Sequence, residues 1–461
     1  MSQQQQAADV TLSLWDQAAY FFVDGDLPEH VADAIDDELS YEVPDHQYTD
    51  AWQEGEWDGH EHLFRESQNG NWFFPVGCLE HVTRILDMYS VDYGVEGLVR
   101  PGRGDLDLGW NTDMTLRDYQ QEAVDEALAY GNGVIVLPTG AGKTLIGLYL
   151  AHTVSRSTLV LVHRQEIADQ WVEQIDDILG YEPAVYYGGT RETGDVQVAL
   201  YQSIYDDGEI RDDARLDHDV ALFDEVHRVG ADTFSTVAME ASAPYRWGFS
   251  ATPEREDNAT LKVIGGTGPM IADLSAETLI EQGYLAKPEW SIFEAPTSEG
   301  RSAYRQWQAE YKGEIVENEE RNELIANVTG DLRRPTLLTV ERISHGERLE
   351  SLIPDSEFIH GDASDREENI QAFRDGDLDV LIATRGIVGE GFDVPEIRSF
   401  AVAGGLKSST SMIQQVGRAL RPSGEENTAT IVDFVDRGEW VGDHSEERIR
   451  TYQDYYGEFA P

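Results

Sequence analysis

The sequence predicts an α/β protein in which two tandem parallel-sheet domains follow a small α+β domain. From Thr115 onward, apolar runs of four to seven residues alternate with helix-length segments, in two blocks of similar length. Continuous apolar strands that alternate with helices are typical of parallel sheets covered on both faces. Residues before about 108 lack this alternation and carry short apolar runs, turn residues and tryptophans.

The strands of the two blocks are predicted from apolar runs bounded by turn residues, with helices such as 165–179 between them. The first block contains the predicted strands "GVIVL", "STLVLVH", "VQVALY", "DVALFD" and "YRWGFS". The second block contains "TLLTV", "SEFIH", "DVLIAT", "SFAVAGG" and "ATIVDFV".

Chain length and composition predict three domains, because 461 residues accommodate three units of ordinary size. The stretch "RPGRGDLDLGWNTD" at 100–113 is rich in Gly and Asp and is predicted to be a linker. The two parallel-sheet blocks are expected to join near Gly283–Pro288. The predicted domains are 1–108, 109–285 and 286–461.

The chain is strongly acidic, with 88 Asp and Glu residues against 34 Lys and Arg residues, a formal charge of -54 and only five lysines. The carboxylates are spread along the whole chain, which argues against an acidic tail. Such a composition is typical of a halophile, because a Debye length of roughly 3 Å at 1 M salt confines repulsion to near neighbours. The acidity therefore indicates habitat and solubility rather than a class of partner.

The single cysteine, Cys78, excludes an internal disulfide and a cysteine-ligated zinc site. No apolar run approaches the ~18 residues of a membrane span. The start "MSQQQQAADV" has neither the basic region nor the apolar region of a secretory signal. We therefore expect a cytoplasmic protein without a membrane partner.

The stretch "LPTGAGKT" at 137–144 predicts a phosphate-binding loop, since it follows a predicted strand and precedes a helix-length segment. Glycine lets backbone N–H groups turn inward, Lys143 reaches the β- and γ-phosphates, and the Thr144 hydroxyl binds Mg²⁺. Leu137 stands where the strict pattern has its first glycine, which suits the Thr-Gly-x-Gly-Lys-Thr variety. The motif predicts ATP and Mg²⁺, with ATP contacts from Pro138, Thr139, Gly140, Ala141, Gly142, Lys143 and Thr144.

The second half of this site is predicted at "ALFDEVH", residues 221–227. Asp224 ends an apolar strand and is a candidate Mg²⁺ ligand, and Glu225 is the candidate base that orients the attacking water. His227 is a candidate for coupling the γ-phosphate to the next strand. Upstream, Gln120 begins a predicted helix, and its side-chain amide can read an adenine edge because it offers both a donor and an acceptor.

The second block supplies arginines in "QQVGRALRPSG", residues 414–424. On a helix, Gln414, Arg418 and Arg421 fall on one face. We predict that Arg418 and Arg421 stabilise the charge that develops on phosphoryl transfer. The mechanism that follows is closure, in which ATP draws the two blocks together and hydrolysis releases them.

With these pieces in order, the chain resembles the superfamily 2 helicases and translocases, which implies that the two parallel-sheet domains are RecA-like. Seven stretches occur in the family order over roughly 115–434, namely "LRDYQ", "LPTGAGKT", "LVHRQEIADQW", "DEVH", "SAT", "IATRGIVGEGFDVP" and "QQVGRALRPS". Within this superfamily the chain is most similar to the XPB-like branch, on the "DEVH" form, the "LP" before "TGAGKT", and "RED" at 255–257.

The resemblance implies further roles. Ser250 and Thr252 would couple hydrolysis to domain movement. Nucleic-acid contacts are implied for His163, Arg164, Arg255, Thr384 and Gly389, and nucleotide contacts for Arg117, Gly391, Asp393 and Gln414.

The N-terminal stretch "AWQEGEWDGHEHLFRESQNGNWFFPVG", residues 51–77, resembles a segment in the front domain of the phage UvsW helicases, an accessory domain for structured DNA. Its aromatic residues fit either a domain core or stacking on exposed bases. These residues are Trp52, Trp57, Trp72 and Phe73. The charged segment around 299–330 lies where XPB proteins carry a thumb-like insertion, and it fits either a thumb or an ordinary helix.

The predicted function is ATP-driven translocation on duplex or branched DNA with local unwinding, in DNA repair. An RNA helicase would share every nucleotide motif, and an ATPase used as a switch would bind without unwinding, so both alternatives stay open. We expect a monomer, and the resemblance adds a nuclease as a candidate partner.

Overall fold

A computed structural model of the protein describes residues 9–15, 19–97, 100–111, 113–227, 232–251, 260–298, 304–361, 363–389, 397–405, 409–421 and 427–461. The chain divides into two compact units, residues 1–137 with 142–273, and residues 138–141 with 274–461. Each unit contains one of the two parallel sheets that the sequence predicts. Within the described ranges, no helix has both the length and the apolar character that a membrane crossing requires.

The N-terminal region of the first unit contains a five-stranded mixed sheet. Its elements are β1 (Val10–Leu14), β2 (Tyr20–Gly25), α1 (Glu29–Glu38), β3 (Ser40–Glu42), α2 (Asp50–Gln53), β4 (His60–His62), β5 (Arg65–Glu66), β6 (Trp72–Pro75), α3 (Leu79–Met88) and β7 (Tyr93–Glu96). The strand order is β5–β6–β2–β1–β7, and β3 pairs with β4 separately. Because side chains alternate along a strand, Phe21 and Val23 of β2 join α1 and α3 in one core.

The four aromatic residues singled out in this region have different environments. Trp72 stacks on the buried Phe64 ring at 4.7 Å with an interplanar angle of 5°. Phe73 is half-buried. Trp57 is half-buried and donates its indole N–H to the His60 carbonyl at 2.6 Å. Trp52 is 41% exposed. A core role therefore fits Trp72, and Trp52 has the ring most accessible for stacking.

The first parallel sheet has seven strands in the order β10–β11–β9–β14–β15–β8–β16, and each neighbouring pair is parallel. Its elements are α4 (Asp118–Tyr130), β8 (Asn132–Val136), α5 (Lys143–Val154), β9 (Thr158–Val162), α6 (Gln165–Gln174), β10 (Ala184–Tyr186), β11 (Val196–Leu200), α7 (Tyr201–Ile204), a β12–β13 hairpin (Tyr205–Asp206, Glu209–Ile210), β14 (Val220–Phe223), α8 (Asp232–Glu240), β15 (Tyr245–Ser250), α9 (Thr260–Thr267) and β16 (Met270–Asp273). The five predicted strands are present. The unpredicted β10 and β16 are short edge strands with partly exposed residues, and they lack the continuous apolar pattern of the interior strands.

The segment 100–111, predicted to be a linker, has no helix or strand but is fixed against the seven-stranded domain. The N–H of Gly104 donates to the Val154 carbonyl at 2.8 Å, and the N–H of Gly109 donates to the Leu179 carbonyl at 2.9 Å. Backbone groups that find partners in this way are held as firmly as those of regular elements. The segment is therefore an ordered strap rather than a free linker.

The second unit contains a six-stranded parallel sheet in the order β17–β22–β21–β18–β20–β19. Its elements are α10 (Ala276–Glu281), β17 (Lys287–Glu294), α11 (Trp307–Glu310), α12 (Glu319–Gly330), β18 (Thr336–Val340), α13 (Ile343–Leu352), β19 (Ser356–Ile359), α14 (Arg366–Asp375), β20 (Val380–Thr384), α15 (Arg385–Gly389), β21 (Ser399–Val402), α16 (Ser409–Ala419), β22 (Thr428–Val435) and α17 (Trp440–Tyr456). The five predicted strands are again present. The sequence did not predict β17, an edge strand on which most residues are partly or fully exposed.

The segment considered for a thumb packs into the second unit where it is described. A π-helical turn, Tyr311–Val316, connects α11 to α12 and shares a small core with Val441 of α17. Ile325 of α12 is fully buried in the main core of the unit. These contacts favour ordinary helices over a projecting insertion.

Candidate nucleotide-binding site

The predicted phosphate loop connects β8 to α5 in the first parallel-sheet domain. The N–H of Leu137 donates to the carbonyl of Ser250 at 2.9 Å, which ties the loop to the end of β15. Gly140 and Gly142 have φ angles of 86° and 81°, in the left-handed region that favours glycine. α5 then begins at Lys143, so the first N–H groups of a 12-residue helix point into the loop.

Three side chains of the loop carry groups able to bind a phosphate or a metal. The ammonium of Lys143 donates to the Leu137 carbonyl at 3.2 Å, across the loop. The Thr139 hydroxyl is buried and has no hydrogen-bond partner among the described residues. Thr144 is half-buried in the first turn of α5. A buried hydroxyl without a partner is costly, and a ligand oxygen would relieve that cost.

The acidic pair follows β14 at the carboxyl end of the sheet. The Asp224 carboxylate accepts a hydrogen bond from the Trp171 indole N–H at 2.9 Å and another from the Glu225 backbone N–H at 3.0 Å. Glu225 itself has a φ of 48°. In a parallel sheet, ligands bind at the carboxyl ends of the strands, which is where both this pair and the phosphate loop lie.

The electrostatic environment of Asp224 links it to the loop. Burial and the neighbouring Glu225 carboxylate raise the pKa of Asp224, whereas Trp171, Lys143 and His163 act in the opposite direction. Burial and the Glu225 charge both disfavour the ionised form of Asp224, and a cation bound at its carboxylate would offset both effects. The arrangement can therefore hold a divalent cation near Lys143.

His227 connects the acidic pair to the next strand. Its Nδ1 lies 3.0 Å from the Ser250 hydroxyl and 3.3 Å from a Glu225 carboxylate oxygen. Ser250 is fully buried at the end of β15. The structure thus joins two of the three residues for which a coupling role is predicted, through a direct hydrogen bond.

Gln120 lies in the first turn of α4, as the sequence predicts, and is buried against the phosphate loop. Its side-chain oxygen accepts the Arg117 backbone N–H at 2.9 Å, which completes a capping arrangement at the helix start. A Cβ atom on Gly142 would collide with the Gln120 amide nitrogen. The Arg117 side chain is exposed beside this site.

The predicted arginine helix corresponds to α16, with one correction. Gln414 is buried and Arg418 is half-buried on this helix. The helix ends at Ala419, so Arg421 lies beyond its end. The N–H of Arg421 reaches the Arg418 carbonyl at 3.4 Å, a tightened turn of the kind that commonly ends helices.

The loop residues Pro138–Ala141 group with the second unit. Within that unit, a Cβ atom on Gly417 would lie 2.8 Å from the Cβ of Thr139. A Cβ atom on Gly140 would lie 3.4 Å from the Cγ of Arg421. Glycine at 417 is therefore required for the close approach of α16 to this stretch of loop.

The residues predicted to contact nucleic acid differ in accessibility. His163 is 7% exposed, whereas Arg164, which precedes α6, is exposed. Thr384 is half-buried at the end of β20, and Gly389 ends α15.

Four predicted site residues lie outside the described residues, namely Thr252, Arg255, Gly391 and Asp393.

Sequence reasoning missed Trp171, although the residue lies within a stretch that it singled out. The indole contacts Asp224, which follows 53 residues later in the chain. No local pattern predicts such a contact, because it depends on how α6 packs against the sheet.

Two protein families match parts of the chain, each of which contains strands of one of the two parallel sheets. Residues 113–255 match the family described as Type III restriction enzyme, res subunit. Residues 319–423 match the family described as Helicase conserved C-terminal domain.

Named relatives are found among archaeal and phage proteins. The Rad25 protein of Halobacterium salinarum, whose name gives it as a candidate DNA 3'-5' helicase, is 31% identical over 358 residues, covering 73% of this chain and 57% of that protein. The DNA 3'-5' translocase XPB2 of Sulfurisphaera tokodaii is 28% identical, covering 70% of this chain and 82% of the relative. The ATP-dependent DNA helicase uvsW of phage T4 is 22% identical, covering 89% of this chain and 88% of the relative.

The similarity to a solved structure of low sequence identity concerns the fold only. A fragment of an HsdR subunit of a type I restriction enzyme from Vibrio vulnificus has a TM-score of 0.55 and 18% identity, covering 78% of this chain and 68% of that chain. The chain spans little more than half the length of its Halobacterium relative.

Proposed function

Because this chain belongs to the XPB/Rad25-like branch of the superfamily 2 helicases, we propose that it couples ATP hydrolysis to translocation on duplex or branched DNA with local unwinding. DNA repair is the process in which we place this activity. The names of the XPB and Rad25 relatives give DNA as the substrate of those proteins, and this supports DNA over RNA here.

One observation carries the ATPase part of the proposal. The Asp224–Glu225 pair and the phosphate loop lie at the same edge of one parallel sheet, and the Lys143 charge acts on the Asp224 carboxylate. The motifs that hold phosphate and metal in other nucleotide-hydrolysing proteins are therefore neighbours in this fold.

The residues present suit ATP with Mg²⁺. The loop offers a helix start, two left-handed glycines and the unsatisfied Thr139 hydroxyl, all suited to phosphate oxygens. We propose that Thr144 and Asp224 hold Mg²⁺, which prefers oxygen ligands and commonly takes only one or two carboxylates beside substrate phosphates. Mg²⁺ supplies charge neutralisation of the phosphate oxygens when bound.

The chain's own groups then have distinct tasks in the proposed mechanism. Lys143 and the loop N–H groups bind the phosphates of ATP. Glu225 orients a water for attack on the γ-phosphorus and accepts its proton, while the bond between the γ-phosphorus and the oxygen that bridges it to the β-phosphate breaks and ADP leaves. His227 transmits the change from bound ATP to its products, through its hydrogen bond, to Ser250 at the end of β15. Arg418 and Arg421 are proposed to stabilise the charge that develops on the transferred phosphoryl group.

DNA contact is proposed through groups that do not need a positive surface. Arg164 is exposed at the start of α6, where a side chain and helix N–H groups can meet a phosphate together. At high salt, counterion release contributes little to binding, so such contacts and base stacking carry more of the affinity. In the N-terminal region, proposed as a DNA-recognition domain, Trp52 is the most exposed of the four aromatic residues considered for stacking.

Four finer points belong to the same proposal. We place the protein in the cytoplasm, where its DNA substrate is found, and we propose that it acts as a monomer. A nuclease is proposed as a partner because a translocase that exposes branched DNA supplies a nuclease with its substrate. The domain boundaries 1–108, 109–285 and 286–461 are retained as proposed.

The proposal is tested by measuring ATP hydrolysis in multimolar KCl with forked, duplex and single-stranded DNA, each compared with RNA. We expect stimulation by DNA, greatest with forked or duplex forms. Stimulation by RNA alone would identify an RNA helicase instead. Nucleotide binding without stimulation by any nucleic acid would indicate an ATPase switch.

Lys143→Ala is expected to abolish hydrolysis because it removes the ammonium that neutralises the β- and γ-phosphates. Folding and DNA binding should be retained, as measured by circular dichroism and by binding of fluorescent forked DNA. Lys312→Ala provides the matched control, since Lys312 is 69% exposed and pairs with Glu317 at 3.1 Å. Wild-type hydrolysis by the Lys143 variant would contradict the site.

A further inference from the structure

Trp171 makes a contact that the proposed mechanism has not used. The residue lies on α6, is 1% exposed, and donates its indole N–H to Oδ2 of Asp224 at 2.9 Å. The far end of the indole packs against α5, because a Cβ atom on Gly147 would lie 2.9 Å from the Trp171 Cη2. The ring is therefore wedged between the helix that follows the phosphate loop and the carboxylate assigned to the metal.

The two hydrogen bonds to Asp224 leave its carboxylate little freedom to rotate. The backbone N–H of Glu225 binds Oδ1 and the indole of Trp171 binds Oδ2. Each oxygen keeps a lone pair for a further partner. Groups that orient a metal-binding carboxylate in this manner are worth about 10–100-fold in metal affinity or activity.

We infer that Trp171 is a positioning residue for hydrolysis, whose indole N–H fixes the Asp224 carboxylate in the orientation that holds Mg²⁺. This inference rests on the proposed function, because it assumes that Asp224 is a metal ligand. Trp171 is thereby added to the site, and metal binding would depend on how α6 packs against the sheet.

A purely structural role is the alternative, since a buried tryptophan contributes packing in any core. Trp171→Phe separates the two roles because it keeps a large aromatic ring and removes the N–H. A matched control exists in Trp247, which is fully buried in the same unit and donates its indole N–H to the Ala127 carbonyl at 3.0 Å. Trp247→Phe therefore removes an equivalent buried hydrogen bond that does not involve the acidic pair.

The first experiment measures the affinity of each variant for a fluorescent, non-hydrolysable ATP analogue, with Mg²⁺ and with EDTA. In Trp171→Phe we expect the apparent Mg²⁺ affinity to fall about 10–100-fold while the affinity in EDTA is unchanged. Trp247→Phe should resemble the wild type in both conditions. Equal Mg²⁺ dependence in the two phenylalanine variants would overturn the inference.

A double-mutant cycle checks that Trp171 acts through Asp224. Asp224→Asn removes the charged ligand, so adding Trp171→Phe should have little further effect on Mg²⁺ dependence. Full additivity of the two changes would assign Trp171 to packing and overturn the inference. Wild-type protein that binds the analogue without any Mg²⁺ dependence would instead contradict the proposed function itself.

A measurement on the wild-type protein tests the inference even where the variants fail to fold. The chain has ten tryptophans, and labelling them with ¹⁵N allows their indole N–H resonances to be followed. Paramagnetic Mn²⁺ added with the nucleotide analogue should broaden one indole resonance first, since Trp171 donates directly to the proposed metal ligand. No preferential loss of an indole resonance would count against the inference.

Discussion

Glu225 has an unusual backbone conformation for a residue with a large side chain. Its φ of 48° lies in the left-handed region, and such a conformation costs about 1–3 kcal/mol when the surrounding structure imposes it. The surroundings here are specific, because the Glu225 N–H is held by Asp224 and its carboxylate lies 3.3 Å from His227. The turn after β14 therefore fixes the relative positions of the Asp224, Glu225 and His227 side chains. We expect single substitutions in this turn to affect hydrolysis more than folding.

Arg421→Ala tests the predicted arginine finger. We expect ATP binding to be retained and turnover to fall about 10³–10⁵-fold, the amount that such arginines contribute in other phosphoryl-transfer enzymes. Hydrolysis rates and binding of a fluorescent nucleotide analogue provide the two measurements. Arg437→Ala is the control, because Arg437 is 60% exposed and pairs with Glu294. Unchanged turnover in the Arg421 variant would remove that residue from the site.

At the scale of single elements, the N-terminus of α17 is capped by a residue that is distant in the sequence. Its own N-cap residue, Glu439, makes no side-chain cap. Instead the Glu310 carboxylate, which is 4% exposed, accepts the N–H groups of Glu439, Trp440 and Val441 at 2.9, 2.8 and 3.2 Å. A carboxylate at a helix start also interacts favourably with the helix dipole. The segment that was considered for a thumb thus supports the last helix of its unit.

Glu310→Gln should lower the free energy of unfolding by about 1.5–3 kcal/mol, because the amide keeps one acceptor oxygen but loses the negative charge and places an NH2 group against the N–H donors of a buried helix start. Denaturant titration of the variant measures this change. Glu317→Gln is the control, since Glu317 is 48% exposed and its pair with Lys312 is expected to contribute only about 0–1 kcal/mol. Equal stability of the two variants would show that the cap contributes nothing.

For the whole molecule, the formal charge of -54 is the dominant electrostatic fact. Some of the few basic residues lie in the interior, where they relieve no surface repulsion. Arg321 and Arg448 are buried with Asp436 and Asp433 as ion pairs, and Arg246 is buried among backbone carbonyls. The surface carboxylates must therefore be screened by the solvent, because a Debye length of about 10 Å at 0.1 M salt leaves neighbouring charges exposed to one another.

Stability is accordingly expected to fall as KCl is lowered from multimolar to about 0.1 M, where the repulsion between carboxylates extends over a longer distance. Thermal unfolding followed by circular dichroism at a series of KCl concentrations measures this dependence. Sucrose of matched osmolality serves as the control, because it stabilises folded proteins by exclusion from their surface without screening charge, and it should restore the midpoint only in part. A midpoint that does not change with KCl would contradict the halophilic interpretation of the composition.

Local patterns in the sequence were sufficient for the fold class and for the position of the glycine-rich loop between β8 and α5. Interior strands of a parallel sheet are buried on both faces, so they appear as continuous apolar runs that can be recognised one by one. The phosphate loop is likewise contiguous, and the left-handed φ angles at Gly140 and Gly142 confirm the reason for glycine at both positions. The edge strands β10, β16 and β17 were missed because partial exposure removes that pattern.

The sequence by itself determined two parallel sheets and an acidic composition, and it predicted a phosphate loop with an acidic pair, since each depends on neighbouring residues or on composition. Only the tertiary structure decided that Trp171 holds Asp224, that Glu310 starts α17, and that Arg421 lies beyond its helix. The first two contacts join residues separated by 53 and 130 positions, and packing of whole elements brings them together. The periodicity of a sequence indicates which face of an element is buried. It does not indicate which side chains from distant parts of the chain will contact that face.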